Sequence, residues 1–343
     1  MNNNIPSANS LLLSPAENPW ETRRFFSMVG LAYATLTLAR HLATLLCQYL
    51  LLFLAPSTLS TWWLPWVLSI LPLYTVGIGL MWLILRRVPV SPHNTDHALS
   101  LTASVDKPKF HAGHWGVLLI IAFGCMTAGG LVGNTVMNAL SSVMDYDYAN
   151  ALGEALVDTP TWASLIAVCV CAPLGEELLF RKLLIDRTRR YGDLPSILLS
   201  GLFFGLFHGN LFQFFYAAAV GMILAYVYTR TGGYWWCVAM HAVINLMSTI
   251  VLPSLTAMLP PDLITFETPT QPLILLLVLL WQYGMLIAGG ILLWVLFPRR
   301  KLSRGSVPLY RENAASLVLG NSGMIAACAV MGLIMALNLW PVR

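Results

Sequence analysis

Residues 162–185 read WASLIAVCVCAPLGEELLFRKLLI, an apolar run interrupted by Glu176, Glu177 and Arg181. A run of this length and composition is a membrane-spanning helix. Each ionised residue at mid-bilayer costs about 2.5–3.5 kcal/mol even on the mildest insertion scales. Two adjacent carboxylates and a guanidinium therefore need a reason to be there. Glu177 and Arg181 are four residues apart, so they share a helix face and can pair. Glu176 points about 100° away around the helix, with no local cation. A carboxylate held so, beside a wet cavity, can accept a proton. The alternative is a structural Glu–Arg pair that locks two helices together.

Composition carries this reading to the whole chain. Of 343 residues, 57% are hydrophobic and only 10% charged, and the mean hydropathy is +0.71. These values imply an all-α, polytopic transmembrane helical bundle and exclude an ordinary soluble domain. Twelve Trp and twelve Tyr suit interfacial belts as well as core packing. The six cysteines all lie in apolar runs, so neither a disulfide framework nor a zinc ribbon is expected. The polar first twenty residues lack the basic and apolar regions of a cleavable signal peptide. No phosphate-binding loop, nucleic-acid stripe or H-E-x-x-H pair is present.

About eight to nine spans are expected, near 25–54, 62–85, 115–140, 162–185, 195–208, 211–228, 234–252, 272–297 and 323–340. The fifth is short, and the last is rich in small residues and carries Asn338. With the N-terminus in the cytoplasm, Arg23, Arg24, Arg86, Arg87, Lys107, Lys109, Arg187, Arg189, Arg190, Arg230, Arg299, Arg300, Lys301, Arg304 and Arg311 fall on the cytoplasmic side. The opposite side holds Asp145, Asp147, Glu154, Asp158, Asp262 and Glu267, with Arg343 its one basic residue. That is a positive-inside pattern. The chain divides into a cytoplasmic tail at 1–24, a leading transmembrane hairpin at 25–86, a cytoplasmic linker at 87–114, a transmembrane core at 115–252, an extracytoplasmic loop at 253–271 and a C-terminal transmembrane region at 272–343.

Further polar residues sit at depth. Arg40 and His41 lie in the first span, where an arginine can snorkel to the interface or meet a lipid phosphate. Gly201, Gly205 and Gly209 form a small-residue row for close helix approach. Phe204 and His208 share a neighbouring face, and His241 and Asn245 lie four apart in the seventh span. Each pair alone is explained by interhelical hydrogen bonding. Counted from the helix ends at 1.5 Å per residue, however, Glu176, His208, His241 and Asn245 all reach roughly 10–20 Å depth. One carboxylate, two imidazoles and an amide then converge in a pocket that is equipped for hydrolysis.

The three motifs, Glu176-Glu177-x-x-x-Arg181, Phe204-x-x-x-His208 and His241-x-x-x-Asn245, resemble in type and order those of the CAAX protease and bacteriocin-processing (CPBP, Abi) family. The resemblance covers residues 115–252. It implies an intramembrane protease in which Glu176 activates water and Glu177 and Arg181 order the site. His208 and His241 would orient water or bind zinc, and Asn245 would stabilise the oxyanion. Glu176, His208 and His241 could make a three-ligand zinc site; equally, Glu176 works as a metal-free general base. The implied substrate is a membrane-embedded or lipid-modified peptide, with CAAX-type prenylated tails among the candidates, and the implied location is a prokaryotic plasma membrane. The short fifth span suggests a cavity that opens toward the cytoplasm. Two other readings stay open: a non-catalytic scaffold, immunity or partner-stabilising protein of the same fold, and a proton-coupled transporter.

Overall fold

A computed structural model describes residues 18–91, 110–148, 150–297, 302–307, 309 and 313–339. Most of the tail at 1–24 and of the linker at 87–114 lies outside the described residues, as do Lys107, Lys109, Arg299, Arg300, Lys301, Arg311 and Arg343. The described residues form helices and contain no strand. In chain order the long helices are α1 Pro19–Leu54, α2 Leu64–Leu85, α3 Ala112–Met144, α4 Thr161–Tyr191, α5 Asp193–Phe207, α6 Leu211–Thr231, α7 Tyr234–Thr256, α8 Gln271–Leu296 and α9 Ser322–Asn338.

Seven of these are long and apolar enough to cross a membrane; α5 and α9, with 15 and 17 residues, are shorter. At 1.5 Å per residue α5 spans only about 22 Å, less than the ~30 Å hydrocarbon layer. Its end is set by Gly209, whose φ of +68° reverses the chain directly into α6. The reversal leaves His208 at the tip of a half-crossing helix. Asn338 of α9 caps the turn by donating from Nδ2 to the Gly209 carbonyl at 2.8 Å.

Glycine rows set the close contacts. A Cβ at Gly205 would lie 2.8 Å from the Phe214 carbonyl, and one at Gly201 the same distance from the Ala218 carbonyl, so α5 and α6 pack backbone to backbone. Gly124 and Gly289 do the same for α3 and α8. The leading helices are not set apart from the rest: α1 packs along both α2 and α9, and Tyr33 joins the same apolar core as Phe180, Phe203 and Met331.

Helix α4 runs through the middle and is irregular. Residues Leu165–Cys171 and Leu178–Leu183 take π-helical turns on either side of Ala172–Glu177. Pro173 explains the first. It has no N–H, and in an i→i+5 ladder the carbonyl it fails to serve is that of Val168. Asn245 Nδ2 donates to that carbonyl at 2.8 Å. Other side chains donate to the backbone of the same helix. Tyr74 reaches Cys171 O at 2.6 Å, Tyr234 reaches Leu174 O at 2.6 Å, Tyr33 reaches Leu179 O at 2.5 Å and Ser200 reaches Phe180 O at 2.9 Å. Hydroxyls and an amide from α1, α2, α5 and α7 thus fix α4 in a shape that its own ladder does not specify.

Candidate active site

Glu177 and Arg181 pair at 3.0 Å and are both fully buried, as their spacing anticipates. The same carboxylate also takes a second partner: His241 Nδ1 lies 2.8 Å from Glu177 Oε1. An ionised carboxylate only accepts, so Nδ1 carries the proton and Nε2 is left as the acceptor. His241 Nε2 in turn lies 3.8 Å from Glu176 Oε2. Arg181–Glu177–His241 is therefore a continuous chain from α4 to α7, and Glu176 stands beside its end. Helical spacing alone leaves Glu176 without a local partner; the structure gives it an imidazole from α7. Glu177 is more than the counterion of Arg181, because it also sets the tautomer of His241.

His208 is fixed differently. Its Nδ1 donates to the Phe204 carbonyl at 2.7 Å, which leaves Nε2 as an acceptor. The Phe204 ring ties the site together, with the Arg181 guanidinium 4.7 Å from its centroid and the rings of His208 and His241 at 4.9 and 5.6 Å. Arg181 also donates from Nη2 to the Gly221 carbonyl at 3.3 Å.

Glu176, His208, His241 and Asn245 line one cavity of about 320 Å³. Glu177 and Arg181 lie behind it. Glu176 keeps 17% of its side-chain surface exposed where Glu177 keeps none, so water reaches the first carboxylate and not the second. Asn245 spends one amide N–H on Val168 and keeps the other. Three further lining residues, Arg40, Tyr74 and Gln213, stand outside the motifs. Arg40 was legible only as a polar residue at depth. Tyr74 and Gln213 had no signal in the sequence, since a tyrosine or glutamine in an apolar helix has no periodic partner of its own.

The cavity lies in the half of the bundle opposite the basic ends. It takes in the first half of α2, the first half of α4, the second half of α7, and Leu152 from the segment between α3 and α4. The expectation of an opening beside the arginine-rich ends is not met. At that end the α4–α5 turn is tied to the segment at 302–307, where Asp193 and Ser303 exchange backbone and side-chain hydrogen bonds at 3.0 and 2.8 Å.

Zinc calls for protein donors about 2.0–2.2 Å from a common point. Among the described residues no group of three or more His, Cys, Asp or Glu is set out to hold an ion. As placed, Glu176, His208 and His241 do not make a zinc donor set.

Residues 158–247, a range that includes all the motif positions from Glu176 to Asn245, match the family model described as type II CAAX prenyl endopeptidase Rce1-like. The match is narrower than the 115–252 core read from the motifs. No curated protein and no solved structure matches the chain. The chain is an integral membrane protein whose segment 158–247 matches an Rce1-like domain, consistent with a CPBP family protein.

Proposed function

We propose that the protein is an intramembrane endopeptidase that hydrolyses a peptide bond of a membrane-embedded or lipid-modified substrate, CAAX-type prenylated tails included. The observation that carries this is the placement of Glu176 beside a tautomer-fixed His241 in a water-accessible cavity. Glu176 accepts a proton from water as its oxygen bonds to the scissile carbonyl carbon. The carbonyl electron pair moves onto oxygen, where the remaining N–H of Asn245 stabilises it. His208 Nε2 accepts from the attacking water and orients it. The proton on Glu176 passes to the leaving nitrogen, directly or through His241 Nε2, and Glu177 stabilises the imidazolium that forms in the second route. The C–N bond breaks, giving a carboxylate on one fragment and an amine on the other.

The reading is tested with purified protein and a fluorogenic panel of prenylated and transmembrane peptides. Wild type, Glu176→Ala and His241→Ala are compared with and without a strong zinc chelator. Cleavage lost in both variants and kept with chelator is the expected result. Loss with chelator and recovery with zinc assigns a metalloprotease instead, and identical behaviour of all three proteins on every substrate removes the enzyme reading. In the same assay, Asn245→Ala is expected to lower kcat more than it raises KM.

Orientation belongs to the same proposal. With Arg23, Arg86, Arg187, Arg190 and Arg230 at the cytoplasmic end, the N-terminus is cytoplasmic and the membrane is a prokaryotic plasma membrane. The cavity then opens on the extracytoplasmic half. A cysteine at Asp262, in the loop between α7 and α8, should take up membrane-impermeant maleimide in intact cells beyond the wild-type level. Labelling only after lysis reverses the orientation.

A further inference from the structure

Arg40 is the one Arg or Lys that lines the site cavity among the described residues. It is half-buried, in the second half of α1. Its guanidinium lies over the Phe207 ring, 4.4 Å from the centroid. Its hydrogen-bond contact is to His41 Nε2 at 3.4 Å. His41 Nδ1 donates to the Thr37 carbonyl at 2.8 Å, so Nε2 is an acceptor and takes one guanidinium N–H. No carboxylate among the described residues forms an ion pair with Arg40, although Glu176 shares the cavity.

The contrast with Arg181 is informative. Arg181 has its carboxylate, its carbonyl and its ring, and is sealed away from the cavity. Arg40 has a ring and one imidazole. Most of its five donors are left for whatever occupies the cavity. A guanidinium fork at this depth is costly unless an anion meets it, and the group it fits best is a carboxylate bound by two parallel N–H bonds. The cavity is also small: about 320 Å³ is at the low end for a ligand pocket. A half-open space of that size takes the end of a chain more readily than a segment that must pass in and out. The end of a peptide carries an α-carboxylate.

We infer that Arg40 is a substrate-binding residue that receives the C-terminal α-carboxylate of the peptide, and so sets the distance between the chain end and the bond presented to Glu176. This inference rests on the endopeptidase reading for its substrate but not for its test. Arg40 specifies which bond is presented, while Glu176 and His241 act on it.

The probe is a fluorescent S-farnesylated peptide that ends in cysteine and three aliphatic residues, made with a free α-carboxylate and as the α-carboxamide. Cleavage of both forms is measured for wild type, Arg40→Gln and Arg40→Lys. Binding of both forms is measured by fluorescence anisotropy to Glu176→Gln with and without Arg40→Gln. The proteins are held in nanodiscs with and without anionic lipid, and thermal stability is recorded for each. The acid is expected to exceed the amide by tenfold or more in kcat/KM, mainly through KM. The ratio should collapse to about one in Arg40→Gln and be intermediate in Arg40→Lys, with a parallel collapse in the binding ratio. Equal handling of acid and amide by wild type overturns the inference, as does an acid preference that survives Arg40→Gln. A dependence on anionic lipid that Arg40→Gln removes, without acid preference, assigns the arginine to a lipid phosphate and also overturns it. If no peptide is cleaved but the acid still binds better through Arg40, the subsite stands and the endopeptidase reading falls. If peptides are cleaved without acid preference, the endopeptidase reading stands and the subsite falls. Should Arg40→Gln not fold, the Arg40→Lys ratio decides, and an unchanged ratio there counts against a bidentate carboxylate.

Discussion

The two halves of α4 treat charge in opposite ways. From Leu179 to Arg189 the helix is nearly all buried, and its polar groups are consumed by structure. Lys182 pairs with Asp186 at 2.6 Å, and Tyr228 donates to the same carboxylate at 2.8 Å. Arg187 donates to the Leu183 carbonyl at 2.8 Å, and Arg189 meets Asp193 at 3.3 Å. From Trp162 to Glu176 the helix is hollowed on one side by the cavity and exposed on another at Trp162, Ile166 and Val170. The boundary falls between two adjacent glutamates. Glu177 belongs to the packed half and Glu176 to the hollow one. The comparison teaches that a charge inside a membrane helix has no fixed meaning; packing decides whether it is a fastening or a reagent.

Mutations can break that boundary, and the largest effect should come from the packed side of it. Glu177→Ala strands Arg181 in a dry environment and frees His241 to rotate. Breaking a buried pair in this way costs about 3–5 kcal/mol. A sharp fall in folded yield and in the melting temperature in detergent is expected, whereas Glu176→Ala should melt close to wild type. Equal stability of the two variants would erase the distinction.

Next comes Asp193, where the packed half meets the segment at 302–307. Asp193→Ala removes the acceptor for Arg189 Nε and for the Ser303 N–H. A loss of about 1–3 kcal/mol is expected, seen as a lower melting temperature and faster proteolysis near Ser303, with the acid-to-amide preference of the cavity unaltered.

The smallest effect should be that of Tyr74→Phe on the hollow side. It deletes one hydrogen bond to Cys171 O, worth about 1 kcal/mol. Its ring still lines the cavity, so a small drop in melting temperature with little change in kcat sharpens the comparison. A change in kcat of a hundredfold would mean that the hydroxyl takes part in the chemistry.

These residues also show what the sequence can and cannot tell. The Glu177–Arg181 pair was legible because both partners sit on one helix at a fixed spacing. The convergence of Glu176, His208, His241 and Asn245 was legible because depth along a span can be counted. The bond from His241 to Glu177 was not, since it depends on how α7 is rotated against α4. The hydroxyls of Tyr33, Tyr74, Tyr234 and Ser200 were also hidden. They answer carbonyls of a helix whose π turns no apolar pattern announces. Pro173 was the one visible hint of that irregularity. The short α5 points to the wrong side for the cavity, because its start, beside the basic ends, packs against residues far along the chain.

The most direct measurement places the two neighbouring carboxylates side by side. Glu176→Gln and Glu177→Gln keep shape and remove charge at adjacent positions. Each is assayed for peptide cleavage and for thermal stability in the same nanodiscs. Glu176→Gln should lose turnover by about 10²–10⁴-fold, the range of general acid–base catalysis, while its melting temperature stays near that of wild type. Glu177→Gln should lose stability first. Turnover by Glu176→Gln within a few-fold of wild type would contradict the assignment of Glu176 as the group that activates water.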